Sequence, residues 1–351
     1  LSVKKSFSFF IAIVAISVTG VLFFSIDSST FDVLAKANPS LLVACLLLVI
    51  LGWCLDSLKF ICLAKAVGEH LSFKHTLATV WINYFGCAIT PMQSGGGPFQ
   101  IYVLYKYGVT VGKSVAITLV RTIQIIFLLA TIVPFALIAE PEFIQKHYML
   151  KWFVVYVIVF LALTVFVLIV SVWRPKWLKK CGSWLLLRMR WLGIIKPKLF
   201  LRAARRVNRE IDNYNNDIKL FLSSGRNWFL LSFIVACVHL LVYMSIMPCL
   251  IIAVGFHVKY LQCILAESLF IFLLYFVPTP GASGAAEGGA AAVFGLFVPW
   301  NMAGVMAVTW RLISEYTGIA VGTFMAVKLL GWGGADEVMK EDNARFNENA
   351  K

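Results

Sequence analysis

Two arginines stand inside apolar, helix-length sequence, Arg121 and Arg311, about 190 positions apart. Each follows a threonine closely, in Thr118-Leu119-Val120-Arg121 and in Thr309-Trp310-Arg311. A guanidinium stays charged, so an arginine in such a setting faces protein, a partner or a water-filled cavity. Its planar fork suits two-point recognition of a carboxylate or a phosphate. Upstream of each arginine lies a stretch that breaks a helix. One is Thr90-Pro91-Met92-Gln93-Ser94-Gly95-Gly96-Gly97-Pro98; the other runs Thr279-Pro280-Gly281-Ala282-Ser283-Gly284-Ala285-Ala286-Glu287-Gly288-Gly289. The pairing of break and arginine occurs twice, which is an internal duplication. A break inside apolar sequence leaves free N–H groups and a new helix N-terminus, both suited to an anion. The candidate substrate-binding residues are therefore Arg121, Arg311, Ser94, Gly95, Gly96, Gln100, Gly281, Ser283, Gly284 and Glu287. The competing reading of the glycines is helix packing, since small residues let membrane helices approach closely.

The remaining ionisable groups are read against these two centres. Asp56 and Lys59 stand three apart on one helix face and can pair, and Arg311 and Glu315 stand four apart. Arg121 has no acid on its own helix, so its partner is Asp56, Glu287 or a ligand. Glu287 reads as an arginine partner, with a titrating coupling group as the alternative. His239 reads as a buried structural histidine or as a proton relay. Asn83 and Glu267 occupy similar places in the two half-spans. No catalytic residue is assigned, because HExxH and nucleophile-elbow motifs are absent. Gly108 to Ser114 resembles a phosphate-binding loop but has one residue too few between its glycines and no strand before it. The eight cysteines show no CxxC pattern and sit mostly in apolar runs, where they pack as small hydrophobes. No metal and no cofactor is expected.

The elements that must position these groups are membrane helices. The chain of 351 residues is 60% hydrophobic and 14% charged, against roughly half and a quarter in soluble domains. The excess falls in runs of about twenty residues, enough to cross the hydrocarbon core. The runs do not alternate, which excludes a β-barrel. Full spans are expected at 7–26, 40–67, 115–138, 152–173, 228–254 and 301–330. Between them, 76–107 and 260–297 read as two re-entrant hairpins, each too short in either arm to span. The net charge of +14 is read as membrane topology rather than nucleic-acid binding, because 174–226 alone holds fourteen Lys/Arg against three Asp/Glu. That segment carries an apolar stripe through Phe200, Ala204, Val207, Ile211, Tyr214, Ile218 and Phe221, the pattern of an amphipathic helix on a membrane surface. The domains are then an N-terminal membrane half, 1–173, the basic cytoplasmic segment, 174–226, a C-terminal membrane half, 227–330, and a polar cytoplasmic tail, 331–351. With both termini cytoplasmic in a cell inner membrane, the first hairpin opens inward and the second outward. The expected fold class is an all-α polytopic membrane protein of six spans and two re-entrant hairpins in an inverted-topology repeat, an architecture of secondary transporters.

The second break, Pro278-Thr279-Pro280-Gly281 followed by Glu287 and Arg311, resembles the lysylphosphatidylglycerol synthase transmembrane family. The likeness covers roughly residues 5–330. It implies a flippase-like protein that moves a charged or modified phospholipid between leaflets, such as aminoacyl-phosphatidylglycerol or a glycolipid. The aminoacyl-transferring members carry a large soluble C-terminal domain, so transferase activity is not expected of this chain. The partner implied is a membrane phospholipid with an anionic or aminoacylated headgroup, and a homodimer is compatible with the sequence. Two other classes compete: a membrane component or enzyme of lipid modification, and a scaffold recruiting a soluble partner through 174–226. The former would want clustered carboxylates or histidines at one interface. The latter leaves the paired breaks and buried arginines without a purpose.

Overall fold

A computed structural model describes residues 3–25, 30, 35, 37–139, 155, 158, 159, 162 and 225–331. The expected span at 152–173, the basic segment and the tail lie almost wholly outside the described residues. Those that are described form helices and one isolated β-bridge. Among the described residues five helical stretches are long and apolar enough to cross a membrane, one of them Arg226–Ala253. The protein is an all-α polytopic membrane protein.

Helix α1 spans Val3–Ser25. α2 spans Pro39–Ala66 and begins where sequence says it should: Pro39 fills a position whose N–H would be unused, and the Asn38 side chain accepts from the Ser40 amide at 3.0 Å. α3, Phe73–Ala88, starts at Ser72, whose hydroxyl accepts from the His75 amide. After the first break comes α4, Gly96–Lys106, and then α5, Val111–Ala139. The expected span at 228–254 is two helices, α6 at Arg226–Met244 and α7 at Ile246–Ala253. Pro248 explains the interruption at Ser245, since it has no N–H to offer the Met244 carbonyl four residues back. α8 spans Tyr260–Leu274, α9 spans Ala285–Phe294 after the second break, and α10 spans Trp300–Arg311. α10 runs on through a π-helical turn, Leu312–Tyr316, in a continuous helix to Gly331.

Each break is packed by the long helix that follows it. α4 lies between α3 and α5, and α9 lies against α8 and α10. The cores follow the same division. One, with Phe60, Leu63, Val80, Leu104 and Ile117, joins α2 to the first unit. A larger one, with Ile251, Phe270, Ala290, Phe294, Met306 and Trp310, fills the second. α5 crosses to α8, and α2 packs on α6, so the two units form one interior. Close approach at several helix crossings depends on glycine: a Cβ on Gly322 would strike the Trp81 carbonyl, and one on Gly318 would lie 2.9 Å from the Tyr84 ring.

Candidate functional site

The two breaks meet each other. Pro91 and Pro280 form an antiparallel bridge. The Met92 amide donates to the Val277 carbonyl at 3.2 Å, and the Gly281 amide donates to the Cys87 carbonyl at 3.2 Å. Backbone groups freed by one break are thus satisfied by the other, which is how non-helical backbone survives inside apolar surroundings. Met92 and Gln93 adopt φ of 54° and 53°, and Ala282 adopts 55°, a left-handed conformation unusual for residues with a side chain. Thr90 locks the first turn. Its hydroxyl donates to the Gly86 carbonyl at 2.8 Å and accepts from the Gly95 amide at 2.7 Å. In the second turn the Thr279 hydroxyl donates to the Ser283 carbonyl at 2.9 Å.

Beside the first tip, Asp56 joins two cations. Arg121 grips it with both arms of its fork, Nε to Oδ1 at 3.1 Å and Nη2 to Oδ2 at 2.5 Å. Lys59 approaches Oδ1 from one helical turn on, at 2.8 Å. Asp56 and Lys59 are buried, while the Arg121 side chain keeps 14% exposure. The Phe60 ring lies under the guanidinium, 5.1 Å from its centre. Among the described residues one carboxylate answers two cations, so this group holds one more positive charge than negative. Of the partners open to Arg121 on sequence grounds, the structure selects Asp56. His239 lies within the field of the same group, and its Nδ1 has no hydrogen bond among the described residues.

Beside the second tip the balance is reversed. Arg311 is sealed, at 2% exposure. Its Nη2 donates to the Gly281 carbonyl at 3.2 Å and its Nε lies 3.5 Å from Glu287 Oε1. Glu287 also accepts from the Tyr316 hydroxyl at 2.5 Å and from the Gly284 amide at 2.6 Å. That last bond places a carboxylate on the N-terminus of its own helix α9, a favourable position for negative charge. Glu315 attracts Arg311 electrostatically, but its hydrogen bond comes from the Tyr243 hydroxyl at 3.0 Å. The π-turn shifts the register after Arg311, so a simple four-residue pair is not made. Two carboxylates answer one guanidinium here.

The other expected site residues divide. Ser94 is spent on its own turn, donating to the Pro91 carbonyl at 2.9 Å. Gly95 and Gly96 are pressed against α3: a Cβ on the first would lie 2.8 Å from the Gly86 carbonyl, and one on the second would strike Asn83 and Cys87. A Cβ would meet nothing at Gly288 and only ordinary contacts at Gly97 and Gly284. Gln100 and Ser283 are buried, and neither side chain finds a hydrogen bond among the described residues. Sequence reasoning missed Tyr243 and Tyr316, which lie on apolar helices and gave no signal except that a buried phenol needs an acceptor. Tyr84, Cys87 and Tyr275 stand between the two charged groups, each within the field of both Arg121 and Glu315.

Residues 9–322 match the model of a protein family described as the lysylphosphatidylglycerol synthase TM region. The chain is also 28% identical over 312 residues to a UPF0104 membrane protein of Archaeoglobus fulgidus, covering 88% of this chain and 93% of that one.

Proposed function

We propose, for a chain that belongs to the lysylphosphatidylglycerol synthase transmembrane family, that it carries a phospholipid headgroup between leaflets past the meeting point of the two tips. One observation carries the reading: Asp56 is shared by Lys59 and Arg121, so among the described residues this group, which includes the more exposed of the two arginines, holds one more positive charge than negative. A charge that deep is costly unless a counter-charge arrives. A lipid phosphate supplies one, in the planar geometry that Arg recognises.

The two halves take different parts. At the second tip Glu287 fills the α9 N-terminus and holds Arg311, so that half is closed to an external anion. In the first half Pro98 stands where Glu287 stands in the second, so no carboxylate of its own sits at the start of α4. Arg121 is therefore assigned to the phosphate, with Gln100 on α4. Arg311 and Glu287 fix the second tip, and its Gly281 amide bonds across to the Cys87 carbonyl. The topology that goes with this has a sixth span at 152–173, hairpins at α3–α4 and α8–α9, both termini cytoplasmic, and units inverted with respect to the membrane. Tips meeting between inverted units would let each side open in turn around one site.

Leaflet exchange in proteoliposomes tests the proposal. Purified protein is reconstituted with trace fluorescent phosphatidylglycerol, and outer-leaflet label is quenched with dithionite. The expected result is quenching beyond the outer-leaflet fraction with wild type, and loss of most of that excess in Arg121→Gln. Wild-type protein at the empty-liposome rate with every phospholipid and aminoacylated phospholipid tried would refute it.

A further inference from the structure

Glu267 has no part in the reading so far. It lies on α8 at 1% exposure, and neither carboxyl oxygen has a hydrogen-bond partner among the described residues. The Trp310 indole interacts with it, but Nε1 falls outside hydrogen-bond geometry and is itself unpartnered. Among the described residues the groups around it offer no cation. From α6 come Tyr243, whose hydroxyl is given to Glu315, and His239, which lies in the field of Asp56, Lys59 and Arg121. From α8 comes Cys263, one turn back. On α10, Arg311 is taken by Glu287 and the Gly281 carbonyl. On α5, Arg121 is taken by Asp56. α9 adds only Glu287 and α7 only Cys249, neither a cation. Nor does the apolar run 152–173 contain any Lys, Arg or His.

A buried carboxylate with no counter-charge is costly even after its surroundings relax. A metal cation would need several oxygen ligands, and the neighbours here are an indole, a thiol, hydrocarbon and one phenol whose hydroxyl is given to Glu315. A proton needs only the carboxyl. We infer that Glu267 is a proton-carrying site that couples lipid movement to the proton gradient. The inference rests on the translocase reading. Position supplies the link: α8 ends at Leu274, three residues before Val277, whose carbonyl holds the first tip through Met92. With its proton, Glu267 stays buried and α8 keeps this packing. Without it, the carboxylate must reach water or a cation, and α8 shifts at the tip contact.

Two measurements on the full chain in lipid separate this inference from the reading it rests on. Infrared difference spectra across a pH step report the C=O stretch of a protonated carboxyl and need no transport. The expected result is a band that is lost in Glu267→Gln and kept in Glu315→Gln, with the amide bands unchanged. A band that survives Glu267→Gln overturns the assignment. In proteoliposomes with a gradient of about one pH unit, one proton per lipid supports up to about a tenfold leaflet asymmetry. Wild type is expected to build such an asymmetry, while Glu267→Gln exchanges lipid without building any. If wild type exchanges lipid and builds none, the coupling is refuted. If wild type moves no lipid at all, coupling falls with the translocase reading, and the infrared band alone decides whether Glu267 holds a proton.

Discussion

Replacing Asp56 by asparagine should damage the fold more than replacing either of the cations it holds. The side chain sits 3.1 Å and 2.5 Å from the two nitrogens of Arg121 that reach it, and 2.8 Å from Lys59. Asp56→Asn leaves two like charges facing each other, one of them the fully buried Lys59. Removing one partner of a buried pair costs about 3–5 kcal/mol, mostly for the charge left behind. Arg121→Gln instead leaves a neutral Asp56–Lys59 pair, so its loss is that of charge-assisted hydrogen bonds, about 1.5–3 kcal/mol. The double variant Asp56→Asn/Lys59→Gln keeps a single cation and should recover at least about 1 kcal/mol over Asp56→Asn, because the two sites are in contact and cannot add independently. Reversible unfolding in mixed micelles, followed by tryptophan fluorescence, measures all four proteins. The expected order of stability is wild type, Arg121→Gln, the double variant, then Asp56→Asn. If Asp56→Asn were as stable as Arg121→Gln, the charge count on which the site rests would be wrong.

Other expectations are simpler. Gly322→Ala and Gly96→Ala should lower stability by about 1–3 kcal/mol, the usual cost of overpacking. Gly288→Ala and Gly97→Ala should cost much less, since a Cβ meets nothing within 4 Å at the first and only Thr118 Cγ2 at 3.8 Å at the second. Tyr316→Phe removes a donor from buried Glu287 and should cost about 1–3 kcal/mol in the same unfolding assay. Arg121→Lys keeps the charge but loses the fork. It should retain more stability than Arg121→Gln while still slowing lipid exchange.

Much of this arrangement can be read from composition and spacing. Apolar runs placed the long helices within a few residues, whereas the capping of two helix starts by Asn38 and Ser72 emerged only from the structure. Thr90-Pro91 and Thr279-Pro280 announced the breaks. What could not be read was which distant groups would meet. Asp56 pairs with Lys59 by local spacing, but its stronger partner is on α5, sixty-five positions away. Only packing of α2 against α5 decides that. The reverse happened at Glu315: local spacing pointed to Arg311, and a π-turn redirected its hydrogen bond to Tyr243 on α6. Ridge and groove at Gly322 and Gly318 are likewise properties of two helices together. The glycines of the first tip looked like an anion cradle, yet Gly95 and Gly96 are flush against α3. Residue type alone does not distinguish backbone approaching a ligand from backbone approaching a helix.

Contact between the tips gives the most direct test of the central claim, that a headgroup passes where the two breaks meet. Cysteines at Met92 and Val277, in a background freed of native cysteines that still exchanges lipid, place a disulfide across the backbone pair. Exchange is followed by albumin extraction of a short-chain fluorescent phospholipid, which leaves the disulfide intact. The account predicts that oxidation reduces exchange to the empty-liposome rate and that a mild thiol reductant restores it. Undiminished exchange through quantitatively cross-linked tips would contradict it.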